Sequence, residues 1–138
     1  MRGLHLTADL SGVDAALPLM RDAASLRTLC VDAVLRAGLG AVAELFHRFT
    51  PAPGVDDEQT GITGVVLLAE SHLAVHTWPE LGAVTLDVYV CNLGQDNSAK
   101  AELLMADLVR AFAPGASVVQ RIERGLAVDQ SSGLSPSR

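Results

Sequence analysis

Aromatic residues are nearly absent from this 138-residue chain: they make up 4% of it, with one tryptophan, one tyrosine and three phenylalanines. A core must then be filled by Ala, Val and Leu, which supply most of a 49% hydrophobic content. Basic residues are also few, ten Lys and Arg against sixteen Asp and Glu, for a net charge of −6. That balance argues against a nucleic-acid surface. The densest basic stretch, Arg121 to Arg124, is interrupted by Ile122 and Glu123 and reads as a solvated strand end. No apolar run is long enough to cross a bilayer. Met1-Arg2-Gly3-Leu4-His5 lacks the apolar core of a signal peptide, so a cytoplasmic location is expected. Cys30 and Cys91 are the two cysteines and should be reduced there, which argues against a structural disulfide. No internal repeat and no phosphate-cradling glycine motif is present.

What is present reads as one domain over residues 1–128. Gly3 to Leu10 alternates like a strand and is closed by Ser11-Gly12. After Asp22, the apolar stripe Leu26, Leu29, Cys30, Ala33 and Val34 predicts a helix through Ala37, stopped by Gly38. Ala41 to Phe49 predicts a strand. Thr50 to Ile62, with two prolines, two glycines and three acids, predicts an exposed loop. Thr63 to Ala69 and Ala83 to Cys91 predict two strands of a hairpin-rich core. Asn97 is placed to cap a helix through Ala111 that buries Leu103, Leu104, Leu108 and Phe112. Ala116 to Ile122 predicts a last strand, and the Ser/Gly/Pro-rich residues 129–138 predict a disordered tail. The order strand, helix, three strands, helix, strand predicts an α+β two-layer sandwich: a mainly antiparallel sheet with two helices on one face.

Glu70-Ser71-His72-Leu73-Ala74-Val75-His76-Thr77-Trp78-Pro79-Glu80 concentrates reactive groups between two apolar strands. His72 and His76 share a face of a regular strand and could ligate a metal with Cys91 or His47, but the spacing matches no specific metal signature. A serine hydrolase centred on Ser71 lacks the glycine-flanked elbow that exposes a nucleophile. Strict alternation also sets Ser71 and His76 on opposite faces, so they could meet only if the backbone turns or breaks near Ser71. Cys30 lies in the helical stripe and reads as a small core residue.

The same segment resembles prokaryotic S-adenosylmethionine decarboxylase proenzymes, whose hallmark is ESH-x-x-x-HTWPE: eight of these eleven positions are the specified residues. Gly3-x-His5, Phe46-His47-Arg48-Phe49-x-Pro51, Gly64-Val65-Val66 and Asp87-x-x-x-Cys91 extend the likeness over nearly the whole chain. The resemblance implies autocatalytic cleavage between Glu70 and Ser71, giving fragments 1–70 and 71–138. Ser71 would become a covalent pyruvoyl group that forms a Schiff base with the substrate amine, with no metal and no pyridoxal phosphate. It implies His76 as the proton acceptor in processing, Thr63 in the place of an assisting serine, and Cys91 as the proton donor in decarboxylation. Phe49 and Trp78 match aromatics that clamp an adenine, and Glu80 matches an acid that holds ribose hydroxyls. Of these three, Phe49 is the one most readily read as plain core. The implied activity is decarboxylation of S-adenosylmethionine to an aminopropyl donor for spermidine synthesis. The implied assembly is a dimer with joined sheets, whose sites use residues of both chains.

Three departures flank this pattern: an acidic insertion at Asp56-Asp57-Glu58-Gln59 near the substrate entrance, Leu81-Gly82-Ala83 after the proline–glutamate pair, and Val90-Cys91-Asn92. They leave open a pyruvoyl-dependent decarboxylase of ornithine or arginine. An uncleaved binding or regulatory homologue is the other alternative, against which the intact Ser71, His76 and Cys91 speak.

Overall fold

The computed structural model describes residues 1–126. The last two residues of the expected domain and the segment 129–138 lie outside them. Six strands form one sheet in which every neighbouring pair is antiparallel. They are β1 (Gly3–Ser11), β2 (Ala41–Arg48), β3 (Ile62–Leu68), β4 (Ser71–Trp78), β5 (Ala83–Cys91) and β6 (Ala116–Arg124), in the spatial order β2-β3-β4-β5-β1-β6. Three helices accompany them: α1 (Pro18–Arg21), α2 (Ala23–Arg36) and α3 (Ser98–Phe112). The α+β two-layer reading holds, but four strands rather than the expected three lie between α2 and α3, since Ser71–Trp78 is itself a full strand, and α1, one turn long, is a further addition.

Alternation along the strands decides the layers. Leu4, Leu6, Ala8 and Leu10 of β1, Leu73 and Val75 of β4, and Val84, Leu86, Val88 and Val90 of β5 are buried with the helices. The helices bury Leu26, Cys30, Ala33 and Val34 from α2, and Ala101, Leu104, Met105, Leu108 and Phe112 from α3. Leu103, expected in that face, is half exposed, because the three-and-four spacing is carried by Met105 and Leu108 instead. Asp22 caps α2: Oδ1 accepts from the Ala24 N–H and Oδ2 from the Ser25 hydroxyl. The Ser25 hydroxyl, followed by the backbone N–H groups of Ala24 and Ser25, holds the Asp22 carboxyl below its ordinary range.

Among the described residues, the other face of the sheet carries no helix. On it lie His5 and Thr7 of β1, Leu45 and His47 of β2, and Thr63 and Leu67 of β3. His72, His76 and Trp78 of β4, Asp87 and Tyr89 of β5, and Ile122 of β6 complete it. His72, His76 and Trp78 of the singled-out segment therefore face this open side, whereas Ser71 and Thr77 share the parity of the core residues Leu73 and Val75.

Two glycines let the strands close up. A Cβ on Gly64 would overlap the ring of Phe46, which packs against the core from β2. One on Gly61 would overlap the Thr77 carbonyl oxygen. Thr77 is itself buried; its hydroxyl accepts from the Ile62 N–H at 2.9 Å and donates to the Met20 carbonyl at 2.8 Å. One side chain thus ties β3 and β4 to α1.

Candidate active site

The expected site residues fall into two groups at opposite ends of β4. At its start, the turn Ala69–Glu70 joins β3 to β4, and Glu70 takes φ of 53°, a left-handed conformation that costs a side-chain-bearing residue about 1–2 kcal/mol. The next residue is Ser71. Its Oγ accepts the backbone N–H of Cys91 at 3.0 Å across the β4–β5 pair. Cys91 ends β5 and is 8% exposed, and its Sγ accepts from the Leu93 N–H at 3.5 Å. Its carbonyl accepts from the Asn97 side-chain amide at 2.9 Å. Asn97 occupies the position before α3 as expected, but its side chain does not cap the helix; the Cys91 carbonyl has claimed it.

At the far end of β4, His76 stands opposite Thr63 in the register, with Nδ1 3.0 Å from Thr63 Oγ1. The hydroxyl can donate to Nδ1 when the imidazole proton sits on Nε2. His47 pairs with Thr63 from the other side, so His47, Thr63 and His76 form one row across β2, β3 and β4. One step further, the Phe49 N–H donates to the Gly61 carbonyl, and continuing the β3–β4 register sets Gly61 opposite Trp78. Phe49 and Trp78 therefore flank a residue with no side chain, their backbones roughly 10 Å apart over two strand spacings. Phe49 is 50% exposed and packs edge-on against His47, with ring centroids 5.0 Å apart; it is not core. Trp78 lies tilted over His76 at 5.8 Å. Glu80 is exposed on the turn that follows.

Ser71 and His76 do not meet within one chain. Face parity is the smaller obstacle; five residues of strand put them about 16 Å apart at ~3.3 Å per residue. His72 and His76 likewise sit in separate partner sets. His72 stacks on Tyr89, with its Nε2 3.3 Å from Asp87 Oδ1. That same oxygen is 2.6 Å from His5 Nε2. Arg124 donates to His5 Nδ1 at 2.9 Å, so the His5 proton is on Nε2 and is given to Asp87. His5, His72 and Asp87 converge within 4.8 Å. A metal-bound Nε2, however, needs an acceptor facing the N–H at Nδ1, and a guanidinium accepts nothing. The set is built as a hydrogen-bonded relay.

The acidic insertion is engaged rather than free. The Asp57 carbonyl accepts from Arg48 Nη2 at 2.7 Å, and its carboxylate is 3.4 Å from the same group. The turn Asp57–Gln59 packs against the turn Pro79–Leu81 that carries Glu80. Sequence reasoning missed Asn97, the Asp87 relay and Thr77. Asp87-x-x-x-Cys91 carried a signal for the second, whereas the first and third depend on contacts distant in sequence.

An all-antiparallel sheet with one helix-free face carries a hydroxyl on the backbone amide of a cysteine and a second hydroxyl beside an imidazole, which defines a two-layer α+β protein with reactive groups at both ends of one strand. The family model described as S-adenosylmethionine decarboxylase matches residues 4–125. The S-adenosylmethionine decarboxylase proenzyme of Aquifex aeolicus (strain VF5) is 38% identical over 131 residues, covering 94% of this chain and 86% of that one. That of Picrophilus torridus is 33% identical over 128 residues, covering 93% and 88%. The crystal structure of the Aquifex aeolicus adenosylmethionine decarboxylase superposes with a TM-score of 0.77 at 36% identity, over 92% of this chain and 93% of that one. This chain belongs to the S-adenosylmethionine decarboxylase family, a family of carboxy-lyases. Among the described residues no helix is long and apolar enough to cross a membrane.

Proposed function

We propose that this protein cleaves itself between Glu70 and Ser71, becomes pyruvoyl-dependent, and decarboxylates S-adenosylmethionine in the cytoplasm to supply an aminopropyl donor for spermidine synthesis. The single observation that carries this reading is the arrangement at the turn. A hydroxyl sits directly after a left-handed glutamate and is held by the amide of the residue expected to donate a proton.

The chain's own groups account for the processing chemistry. Ser71 Oγ attacks the Glu70 carbonyl carbon, the C–N bond breaks, and an ester replaces the peptide with the amine set free. Opening the turn releases the backbone strain at Glu70. A base then takes the Ser71 α-proton, the Cβ–Oγ bond breaks, and Glu70 leaves as a carboxylate carrying that oxygen. Water replaces nitrogen at the α-carbon and ammonia is lost. His76 is the residue assigned to the proton, with Thr63 Oγ1 orienting its ring.

Ser71 and His76 are too far apart in one chain for that transfer, so we assign them to different protomers. The helix-free face presents Leu45, Leu67 and Ile122, half or more exposed in the first and near half in the others. Pairing two such faces about a two-fold axis would bury them and set Thr63 and His76 of one copy against Ser71 and Cys91 of the other. The pyruvoyl carbonyl supplies the electron sink for loss of carbon dioxide. Cys91 then holds the proton for the substrate carbon. Phe49 and Trp78 take an adenine over Gly61, and Glu80 takes the ribose. This aromatic pair favours the adenosyl substrate over ornithine or arginine, which have no ring to clamp. The engaged Asp57 offers a second substrate cation little.

Carbon-dioxide release from S-adenosylmethionine, ornithine and arginine, measured in parallel on protein whose fragments have been weighed by mass spectrometry, tests this reading. Turnover of the sulfonium compound by cleaved protein is expected. An unbroken chain, or turnover of a basic amino acid alone, overturns it.

A further inference from the structure

The segment between β5 and α3 is tied together by side-chain amides. The Asn92 N–H donates to the Arg2 carbonyl at 2.8 Å. Asn92 Oδ1 accepts from the Asn97 N–H at 2.8 Å, and Asn92 Nδ2 donates to Ser98 Oγ at 3.0 Å. Asn97 Nδ2 donates to the Cys91 carbonyl at 2.9 Å. Both sides of the Cys91 peptide backbone are therefore held, the N–H by Ser71 and the carbonyl by Asn97, and Sγ accepts a third contact from Leu93.

An asparagine in the position before a helix ordinarily accepts from the first-turn N–H groups. Asn97 makes no such bond; Asp96 Oδ1 accepts the Ser98 N–H at 2.9 Å, and the Asn97 side chain instead fixes the carbonyl six residues back. The helix entry is thus served by Asp96, which leaves the Asn97 amide to the residue that carries the sulfur.

We propose that Asn97, locked by Asn92, is a positioning residue for the Cys91 thiol. It anchors the Cys91 carbonyl, and through it the Leu93 N–H that touches Sγ, so that the thiol proton is presented in one direction. Asn97 touches neither substrate nor reacting atom. The assignment of the thiol to the reaction rests on the function proposed above; the brace itself does not.

Asn97→Ser tests it, because serine caps a helix as well as asparagine but is too short to reach the Cys91 carbonyl. The first readout is alkylation of Cys91 by iodoacetamide, located by mass spectrometry. Cys30 stays silent, since it is fully buried and burial pushes its thiol up to about 12. Releasing the loop should speed Cys91 alkylation roughly five- to ten-fold, the equivalent of one lost hydrogen bond. The second readout is turnover: kcat should fall by roughly the same factor at unchanged KM, with fragments 1–70 and 71–138 still formed. Asn92→Ala should move both readouts in the same direction with α3 intact by circular dichroism. Alkylation within two-fold of wild type in both variants overturns the proposal. The alkylation arm needs no turnover, so a protein that failed to cleave or to decarboxylate would sink the proposed function and still report on the brace.

Discussion

The Cys91 N–H reaches across the β4–β5 pair to Ser71 Oγ at 3.0 Å, joining the residue assigned to become the cofactor with the residue assigned to protonate the product. Twenty positions separate them in sequence, and the hairpin through Trp78 and Ala83 closes that distance. On the proposed processing route this oxygen would depart with Glu70, so the hydrogen bond to it would belong to the precursor alone.

Wild-type protein should separate into two fragments on a denaturing gel, and Ser71→Ala should remain one 14.4 kDa chain. Cys91→Ala should still cleave but decarboxylate poorly. Full turnover by Cys91→Ala would require another proton donor.

Mixing tests the division of the site between protomers. Ser71→Ala and His76→Ala chains should each stay intact when expressed alone. Expressed together, they should form mixed dimers in which one site holds an intact Ser71 and an intact His76. Under random pairing about half of the His76→Ala chains should then be cut. Complete absence of cleavage in the mixture would place both groups in one chain, against the 16 Å estimated along β4.

Thr63→Ala removes the hydroxyl that faces His76 Nδ1. Loss of that contact should slow appearance of the fragments roughly five- to ten-fold in a time course, while Thr63→Ser should match or exceed wild type. Equal rates in all three would detach Thr63 from the imidazole.

Gly61→Ala places a methyl against the Thr77 carbonyl oxygen, and Gly64→Ala places one against the Phe46 ring. Each should destabilise the protein by about 1–3 kcal/mol in urea titrations. Gly61→Ala should also weaken substrate binding, since that residue lies between Phe49 and Trp78.

Asp22→Ala should lower the melting temperature near neutral pH. Hydrogen bonds from Ser25 and Ala24 depress the folded-state pKa of Asp22, so its contribution is present above the unfolded carboxylate pKa. It is lost as pH falls through the depressed folded value. The two melting curves should therefore converge in acid and separate on return to neutral pH. A gap that stayed constant with pH would deny the carboxylate its capping role.

Much of this protein could be read from its order of residues. Alternation along Gly3–Leu10 and Ala83–Cys91 set which side chains face the helices, because strand side chains alternate with a period of two. The stripe ending at Val34 and the glycine after it fixed α2 for an equally local reason. Ser71 and His76 were legible as candidates because an eleven-residue motif concentrates them, and Cys91 because it ends a second short pattern that starts at Asp87.

Other features required the tertiary structure, because they join residues distant along the chain. Asn97 reads as a helix cap in isolation and turns to Cys91 only once β5 ends beside α3. Phe49 leaves both a core and an adenine-binding reading open in isolation, and only the uncovered face beside β2 at the sheet edge shows it half exposed. Thr77 becomes a clasp only when Met20 lies against it. Residue spacing thus determined the layers and the reactive groups, which are properties of local periodicity and side-chain type. The division of those groups between the two ends of β4 was decided by strand register and rise, which no single segment contains.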